Sequence, residues 1–406
     1  MRKVLLLAVL VPLVLAAGWY YFHERALPGY GPLYREYAYI SNGKSNTVTV
    51  IDLRSFRPVR TLQVGTEPTG VAANPKRNEI YVVNTGSSNV SVIDAEQNRV
   101  VATIGVYGRP YFIDVSPDGR RAYVANSNSN NVSVLDLDHR TVAATLPVGA
   151  NPGLARISPD GSTVVVTNRA DNSISIIDTA RLAVRSAINV CMSPEDVAIL
   201  PDSTKAFISC SGSGQVASIG LKSATKNSDA QKTDADKNET QTDKLLALLD
   251  VGKSPVSLAL KPDGGELVAF NFDAGSISII ETTGNEVSGS YLIGAEPTRG
   301  VVSADNSRLY VSNFGSNNVA VYDIELGKVI GYLPVGTRPD ALALSQNQNY
   351  LLVVDSGSGD LAVIQKRQPR KKFEPSEYSL VTIIPVGMQP NQIVVKSFLA
   401  TLSSAR

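Results

Sequence analysis

The chain has 406 residues, of which 43% are hydrophobic and 18% are charged, and its formal net charge is +1. This balance argues against broad electrostatic binding to nucleic acid. Only two histidines are present, His23 and His139, which excludes most histidine-based catalysis, a His cluster for zinc or copper, and paired axial imidazoles.

Residues 1–22 have the pattern of an export signal. Arg2 and Lys3 precede an uncharged stretch of nineteen residues, Val4 to Phe22. Such a segment is either cleaved after small residues or retained as a membrane anchor. We therefore expect an exported protein, in the periplasm or at the cell surface, with residues 23–37 as a tether.

A repeated unit occupies residues 38–398. Its anchor is an Asn or a replacement, and successive anchors are 42 residues apart except for one step of 61. The anchors are Asn42, Asn84, Asn126, Asn168, Cys210, Asn271, Asn313 and Asp355. A parallel series of prolines, which we call the ladder prolines, comprises Pro68, Pro110, Pro152, Pro194, Pro255, Pro297, Pro339 and Pro390. A period near 40 with short alternating strands predicts an all-β propeller with four-stranded blades.

Each unit divides into strands A to D. One copy predicts strand A at Leu154 to Ser158, strand B at Val164 to Thr167, strand C at Ser173 to Ile177 and strand D at Val184 to Val190. The connections are rich in Pro, Asp, Asn and Gly, which form turns through side-chain hydrogen bonds and positive φ. We therefore interpret the anchors as turn residues rather than catalytic groups.

The repeats resemble a known family. The segments YVVNTGSSNVSVID, YVANSNSNNVSVLD and YVSNFGSNNVAVYD, which begin at Tyr81, Tyr123 and Tyr310, are each followed by a Val-Gly-x-x-Pro element or its replacement. They are similar to the YVTN β-propeller repeats of bacterial and archaeal envelope and surface-layer proteins. The resemblance implies the fold but little chemistry, because similar propellers include ligand binders, surface proteins and a haem-carrying domain.

The two ends of the chain complete one another. Strands B, C and D from Ala38 lack a preceding A strand, and the A strand at Gln392 to Ser397 lacks its successors. Pairing them closes a ring of eight blades and removes open sheet edges, and seven blades, as relatives often have, is the alternative. Residues 399–406 are then a tail.

Two C–D loops carry insertions. Residues 222–244 form a polar loop, and residues 366–378 form a basic one that could touch anionic lipid headgroups. A solvated loop is the simpler interpretation of each.

The two cysteines replace repeat residues within one blade. Cys191 stands in the place of the Gly in the crossover between blades, and Cys210 in that of the anchor Asn. In an exported protein this indicates a disulfide, with two buried free thiols as the alternative.

The candidate ligand site lies where the B–C loops and crossovers meet, on what we call the free face. The residues before the ladder prolines form a polar ring there, and aromatic residues surround it. The candidate set is Glu67, Tyr107, Arg109, Tyr111, Phe272, Glu296, Phe314 and Arg338. The alternative is structural, with Glu/Arg pairs joining neighbouring blades and aromatic rings packing on adjacent loops.

In the strands that line the channel, Asp114 and Arg156 occupy equivalent positions of consecutive blades, which predicts an ion pair, with a catalytic carboxylate as the alternative. No catalytic set, metal site or cofactor is predicted. We expect a monomeric, non-catalytic exported scaffold that binds an envelope component, extracellular polymer or protein partner. The alternatives are a lactonase-like or hydrolytic propeller enzyme, a cofactor-carrying electron-transfer propeller and, disfavoured by charge, a single-stranded nucleic-acid binder.

Overall fold

The computed structural model describes residues 31–222, 242–367 and 377–400, which form an eight-bladed β-propeller. Every blade is a four-stranded antiparallel sheet. The predicted fold and the count of eight blades are confirmed. The described residues contain no helix that could cross a membrane.

The strands of each blade are given from the channel outward. Blade 1 comprises β32 (Pro390–Leu399), β1 (Tyr34–Asn42), β2 (Thr47–Asp52) and β3 (Arg57–Gln63); blade 2, β4 (Pro68–Ala73), β5 (Glu79–Asn84), β6 (Asn89–Asp94) and β7 (Arg99–Gly105). Blade 3 comprises β8 (Pro110–Val115), β9 (Arg121–Asn126), β10 (Asn131–Asp136) and β11 (Thr141–Pro147); blade 4, β12 (Pro152–Ile157), β13 (Thr163–Asn168), β14 (Ser173–Asp178) and β15 (Ala183–Asn189). Blade 5 comprises β16 (Pro194–Ile199), β17 (Lys205–Cys210), β18 (Gln215–Gly220) and β19 (Lys244–Asp250); blade 6, β20 (Pro255–Leu260), β21 (Glu266–Asn271), β22 (Ser276–Glu281) and β23 (Glu286–Leu292). Blade 7 comprises β24 (Pro297–Val302), β25 (Arg308–Asn313), β26 (Asn318–Asp323) and β27 (Lys328–Pro334); blade 8, β28 (Pro339–Leu344), β29 (Tyr350–Asp355), β30 (Asp360–Arg367) and β31 (Glu377–Pro385).

Blade 1 closes the ring as the sequence predicts, because β32 pairs antiparallel with β1. The pairing runs from Tyr34 opposite Leu399 to Asn42 opposite Pro390. The ladder therefore extends into the segment assigned to the tether. Residues 1–30, most of both predicted insertions and residues 401–406 lie outside the described residues.

The middle strands of each blade are buried on both faces. Along β9, Tyr123 packs in the cluster shared with blade 4, while its neighbour Val124 packs in the cluster shared with blade 2. Successive side chains of one strand therefore pack against the two different neighbouring blades. Apolar clusters of this kind lie between neighbouring blades around the ring, including the closing interface, where Ile40 meets Leu352 and Val363.

The residue before each ladder proline adopts a left-handed backbone conformation that turns the crossover into strand A. These residues are Glu67, Arg109, Asn151, Ser193, Ser254, Glu296, Arg338 and Gln389, with φ between 51° and 54°. Non-glycine residues enter this region at an energetic penalty. The preceding blade stabilises the turn in several cases: the Asn46 Oδ1 accepts a hydrogen bond from the Glu67 amide at 2.9 Å.

Cys191 and Cys210 form a disulfide, with their Cα atoms 5.6 Å apart. In blade 4 the equivalent residues are Gly149 and Asn168, which touch so closely that a Cβ on Gly149 would lie 2.6 Å from the Asn168 Cγ. The crossover folds back onto the anchor in each case. In blade 5 a covalent bond takes the place of that packing contact.

Candidate functional site

The central channel contains a cavity of about 530 Å³ lined by the innermost strands. Most of these strands carry a β-bulge just after the ladder proline, as between Pro110 and Phe112. A bulge re-aims side chains. Consecutive residues such as Tyr111 and Phe112, or Glu195 and Asp196, therefore line the same cavity.

One wall of the cavity centres on Arg156 of blade 4. Its guanidinium lies 3.8 Å from the Asp114 carboxylate of blade 3 and 3.6 Å from that of Asp196 in blade 5. It also stacks over the Phe112 ring, 4.8 Å from the centroid. The predicted interblade pair between Asp114 and Arg156 is present, and Asp196 extends it to three blades.

The two carboxylates of this triad have different surroundings. The Asp196 Oδ2 accepts hydrogen bonds from the Ser257 hydroxyl at 2.9 Å and the Leu258 amide at 3.0 Å. Asp114 accepts the Ile157 amide at 3.1 Å. Burial raises the pKa of Asp114, although Arg156 opposes the shift. Asp114 is thus held closer to its neutral form than an exposed aspartate.

A second cation, Arg169, reaches the cavity from the B–C loop of blade 4. It bonds Glu195 at 2.8 Å and stacks over the Tyr111 ring at 4.8 Å. Gly153 makes the space for it, since a Cβ there would lie 2.6 Å from the Arg169 Nε. That buried Nε has no hydrogen-bond partner among the described residues. The stacked Arg169 guanidinium therefore lies at the channel wall with at least one N–H group that donates no hydrogen bond.

Across the channel, Arg299 of blade 7 faces Asp340 of blade 8, with Nε 3.8 Å from the carboxylate. Burial raises the pKa of Asp340, and Arg299 acts against the rise. The Arg299 side chain also donates to the Gln392 Oε1 at 3.3 Å. A carboxyl with a raised pKa beside an arginine is the combination that general acid–base chemistry uses.

The structure brings only part of the predicted site together. Tyr111 and Phe272 line the central cavity. Phe314 and Arg338 line a separate groove of about 720 Å³ near the junction of blades 8 and 1, with Arg338 stacked over Phe314 at 5.5 Å. Tyr107 is exposed.

The Glu/Arg pairs that the structural alternative proposes between neighbouring blades are not seen among the described residues. Among the described residues, no ion pair joins Glu67 to Arg109 or Glu296 to Arg338. These four residues lie at the crossovers and are not in the cavity lining. Their role in ligand binding stays a prediction.

Five residues that line the central cavity were not predicted from the sequence: Arg169, Glu195, Asp196, Arg299 and Asp340. Strict alternation places one residue in two against the channel, whereas in blades 3, 5 and 7 the bulge turns both residues after the proline inward. A signal was available: Glu195 and Asp340 both directly follow a ladder proline, where other blades have small or neutral residues. Four carboxylates therefore line this cavity, although the sequence predicts no catalytic set.

Two family models match parts of the chain. A YNCE-like β-propeller model matches residues 116–205, and a seven-bladed lactonase β-propeller model matches residues 21–151. Both support the propeller fold, and neither is named as a YVTN-repeat family. None of the curated proteins compared with the chain matches it.

Solved structures share the architecture at low sequence identity. The dihydro-haem d1 dehydrogenase NirN, in complex with DHE, is 16% identical, covering 88% of this chain and 74% of its own, with a TM-score of 0.69. AztD of Citrobacter koseri is 16% identical, covering 91% and 100%, with a TM-score of 0.64. A Bacteroides fragilis protein provisionally assigned as a 6-phosphogluconolactonase is 15% identical, covering 91% and 100%, with a TM-score of 0.60. At this identity the likeness shows the fold.

These comparisons overturn the expected function. The match to the lactonase family model contradicts both the non-catalytic scaffold and the prediction that the protein is not an enzyme. The alternative of a propeller enzyme or cofactor-carrying propeller fits them better.

Proposed function

We propose that this protein is a lactonase-like hydrolase that opens a small polar lactone or ester in its central channel. The observation that carries the proposal is the convergence of four carboxylates and three arginines on one cavity of about 530 Å³. The match to the lactonase model supports the reaction class. The volume suits a substrate of one or two sugar rings.

Asp340 and Arg299 are the proposed catalytic pair. Hydrolysis needs a base for the attacking water and positive charge beside the developing oxyanion. Asp340 takes a proton from a water molecule while the water oxygen forms a bond to the carbonyl carbon of the substrate. The electron pair of the C=O double bond moves to the carbonyl oxygen, which Arg299 stabilises as an oxyanion. Collapse of the intermediate breaks the ring C–O bond, and the leaving alkoxide recovers the proton from Asp340.

The opposite wall supplies recognition. Arg169 and Arg156 present guanidinium groups that lie against aromatic rings, those of Tyr111 and Phe112. Guanidinium groups bind carboxylate or phosphate through paired hydrogen bonds, and exposed aromatic faces stack on sugar rings. We therefore infer a substrate that carries an anionic substituent.

The cavity does not fit haem iron as well as it fits a hydrolytic substrate. Protein ligands to haem iron are His, Cys, Met or Tyr side chains. The described lining residues include no His, Met or Cys, and Tyr111 is stacked on Arg169. No group of three described His, Cys, Asp or Glu residues could hold a metal ion either.

Several earlier expectations remain part of this proposal. We propose that the repeats are of the YVTN type, and that residues 1–22 direct export to the periplasm or cell surface. Residues 23–37 would then tether the propeller, and we expect it to act as a monomer.

Lactone hydrolysis by the purified protein tests the proposal. Proton release would be followed in a pH-stat with δ-gluconolactone, 6-phosphogluconolactone and a neutral γ-lactone. We expect hydrolysis with preference for the phosphorylated substrate, and losses of kcat of about 10²-fold or more in Asp340→Asn and Arg299→Gln. Arg181→Gln is the control, since Arg181 is 80% exposed on a surface turn.

Two results would reject the assignment. One is a wild-type protein that accelerates none of the three lactones above the buffer rate. The other is hydrolysis that survives both channel substitutions at the rate of the Arg181→Gln control.

A further inference from the structure

The anchor asparagine closes the B–C hairpin through its side-chain amide. In blade 3, the Asn126 Nδ2 donates to the Asn131 Oδ1 at 2.7 Å and the Ser133 Oγ at 2.8 Å. Asn42, Asn84, Asn168 and Asn271 make the same pair of bonds to residues five and seven positions later. Both amide protons are therefore used within the hairpin.

Blade 7 shows how the arrangement adapts when the second acceptor is missing. Ala320 stands where Ser133 stands in blade 3, and the Asn313 Nδ2 donates instead to the Ile293 carbonyl and the Asn318 Oδ1, both at 2.9 Å. The amide still satisfies two acceptors.

Blade 8 has the same Ala, at Ala362, but carries acids at both other positions, Asp355 and Asp360. Asp355 is fully buried, and its Oδ2 accepts the Gly336 amide at 3.0 Å. The Oδ1 atoms of both aspartates are buried and have no partner among the described residues. Where six other blades place an NH₂ group between acceptors, this one places only acceptors.

We propose that Asp355 and Asp360 share one proton, and that this acid pair forms a pH-sensitive latch beside the closure of the ring. Two adjacent carboxyls with buried oxygens cannot both be ionised without a large electrostatic penalty. A proton held between them restores the bond that the anchor amide makes elsewhere. Burial first, and then Asp360, raises the pKa of Asp355 to about 8.

The latch is connected to the closing blade by hydrogen bonds. The hairpin residue Gly359 accepts the Val386 amide at 3.0 Å, which holds the crossover into blade 1. That crossover in turn binds blade 1, because the Gln389 and Met388 carbonyls accept the amides of Gly43 and Lys44 at 2.9 and 3.2 Å. Loss of the proton would act on this connection.

Charged groups on the surrounding elements are engaged elsewhere or exposed. On the crossover before β28, Arg338 stacks over Phe314, and Asp340 of β28 faces Arg299. Lys44 of the blade 1 loop is exposed, and the residue opposite Asp360 on β31 is Pro385. Asp360 is the one charged group among the causes of the Asp355 shift.

The sign of the pH effect follows from the raised pKa of Asp355. The folded protein holds a proton that the unfolded chain releases near the ordinary value of 3.8. The unfolded state therefore binds fewer protons between about pH 4 and 8, so stability falls with rising pH across this window and levels off above it.

Asp355→Asn is the decisive variant, because it rebuilds the arrangement of blade 7. We would measure the melting temperature from pH 5 to 9.5 for the full chain, for this variant and for a control, Asp94→Asn, in a C–D turn. We expect the wild type to lose melting temperature relative to Asp355→Asn from pH 5 to 8, while the control follows the wild type.

Two further measurements identify the proton and the connection. Difference infrared spectroscopy should show the carbonyl band of a protonated carboxylic acid at pH 7 that Asp355→Asn removes. After correction for the intrinsic rise of exchange with pH, the protection of residues 386–389 and 43–46 against hydrogen exchange should fall above pH 8 in the wild type and not in Asp355→Asn.

A pH profile in which wild type and Asp355→Asn run parallel, with no such carbonyl band, would overturn the proposal. So would a rise in melting temperature on adding calcium or magnesium to the wild type but not to Asp355→Asn, since it would assign a cation rather than a proton to the pair. The latch is independent of the proposed hydrolysis and is tested without substrate.

Discussion

In blade 5 a disulfide occupies the place where blade 4 has a packing contact between a glycine and an asparagine. Replacing the two cysteines by glycine and asparagine measures how much of the stability from the disulfide that contact can supply. Cys191 and Cys210 are separated by 19 residues, and closing such a loop contributes about 3 kcal/mol to the free energy of unfolding in the chain-entropy model. We compare two double variants, Cys191→Gly/Cys210→Asn and Cys191→Ala/Cys210→Ala. Only the first restores the packing of Gly149 on Asn168.

The expected difference follows from hydrogen bonding. Blade 5 has Ala217 where most blades have Ser or Thr, and blade 7 likewise has an alanine, Ala320, at this position. An asparagine at position 210 can then donate to the Gln215 side chain and to a crossover carbonyl, as Asn313 does. Two such bonds contribute about 1 kcal/mol each. We expect losses of about 1–2 kcal/mol for the Gly/Asn variant and about 3 kcal/mol or more for the Ala/Ala variant.

Urea unfolding followed by far-ultraviolet circular dichroism gives both values, with the oxidised wild type as the reference. The reduced wild type separates loss of the bond from change of residue. Equal destabilisation of the two variants would refute the equivalence of disulfide and anchor contact. A Gly/Asn variant less stable than Ala/Ala would refute it more strongly.

Three further predictions concern the repeat and the channel. Asn126→Ala should lower the free energy of unfolding by about 2–3 kcal/mol, since it removes two buried hydrogen bonds, whereas Asn128→Ala in the same loop should change it by less than about 0.5 kcal/mol in the same urea titration. Gly153→Ala should raise the KM for phosphorylated lactone more than it lowers kcat, because the new Cβ displaces the Arg169 guanidinium; an unchanged KM would place the anion elsewhere. The pH profile of kcat/KM should fall on the acid side at a higher pH than for an ordinary aspartate, because burial raises the pKa of Asp340 and the base is active only when ionised.

The period of the anchors predicted the blades because each blade repeats one set of backbone requirements. Three features recur in the blades for structural reasons: the anchor asparagine, as at Asn126, the left-handed residue before the ladder proline, as before Pro110, and the alternation along strands such as β9 and β10. Because they recur, they can be recognised in the sequence. Ring closure followed from counting the incomplete blade at each end. The pair Asp114 and Arg156 was found because both residues occupy the same position of consecutive repeats.

The other residues of the channel site could not be predicted from the sequence, because their positions depend on local departures from the repeat. Asp340 and Arg299 lie one and two positions after their prolines, and only the bulge places both in one cavity. Arg169 comes from a B–C loop, and its entry depends on the absence of a side chain at Gly153. Neither the bulge nor the space at Gly153 can be recognised from the period of the repeat.

The repeat offers a physical reason to look for function where it breaks. Stability comes from eight similar interfaces, so a residue that differs from its counterparts without improving packing is disfavoured by folding alone. Asp340 is such a residue, because its half-buried carboxyl stands where Thr69 and Thr298 lie at the equivalent positions, and partial burial disfavours its charged form. Asp114 stands in the same relation to Ala72 and Val394. Half-buried acids that folding does not require, facing arginines in one cavity, are accounted for by a ligand whose charge and reaction they serve.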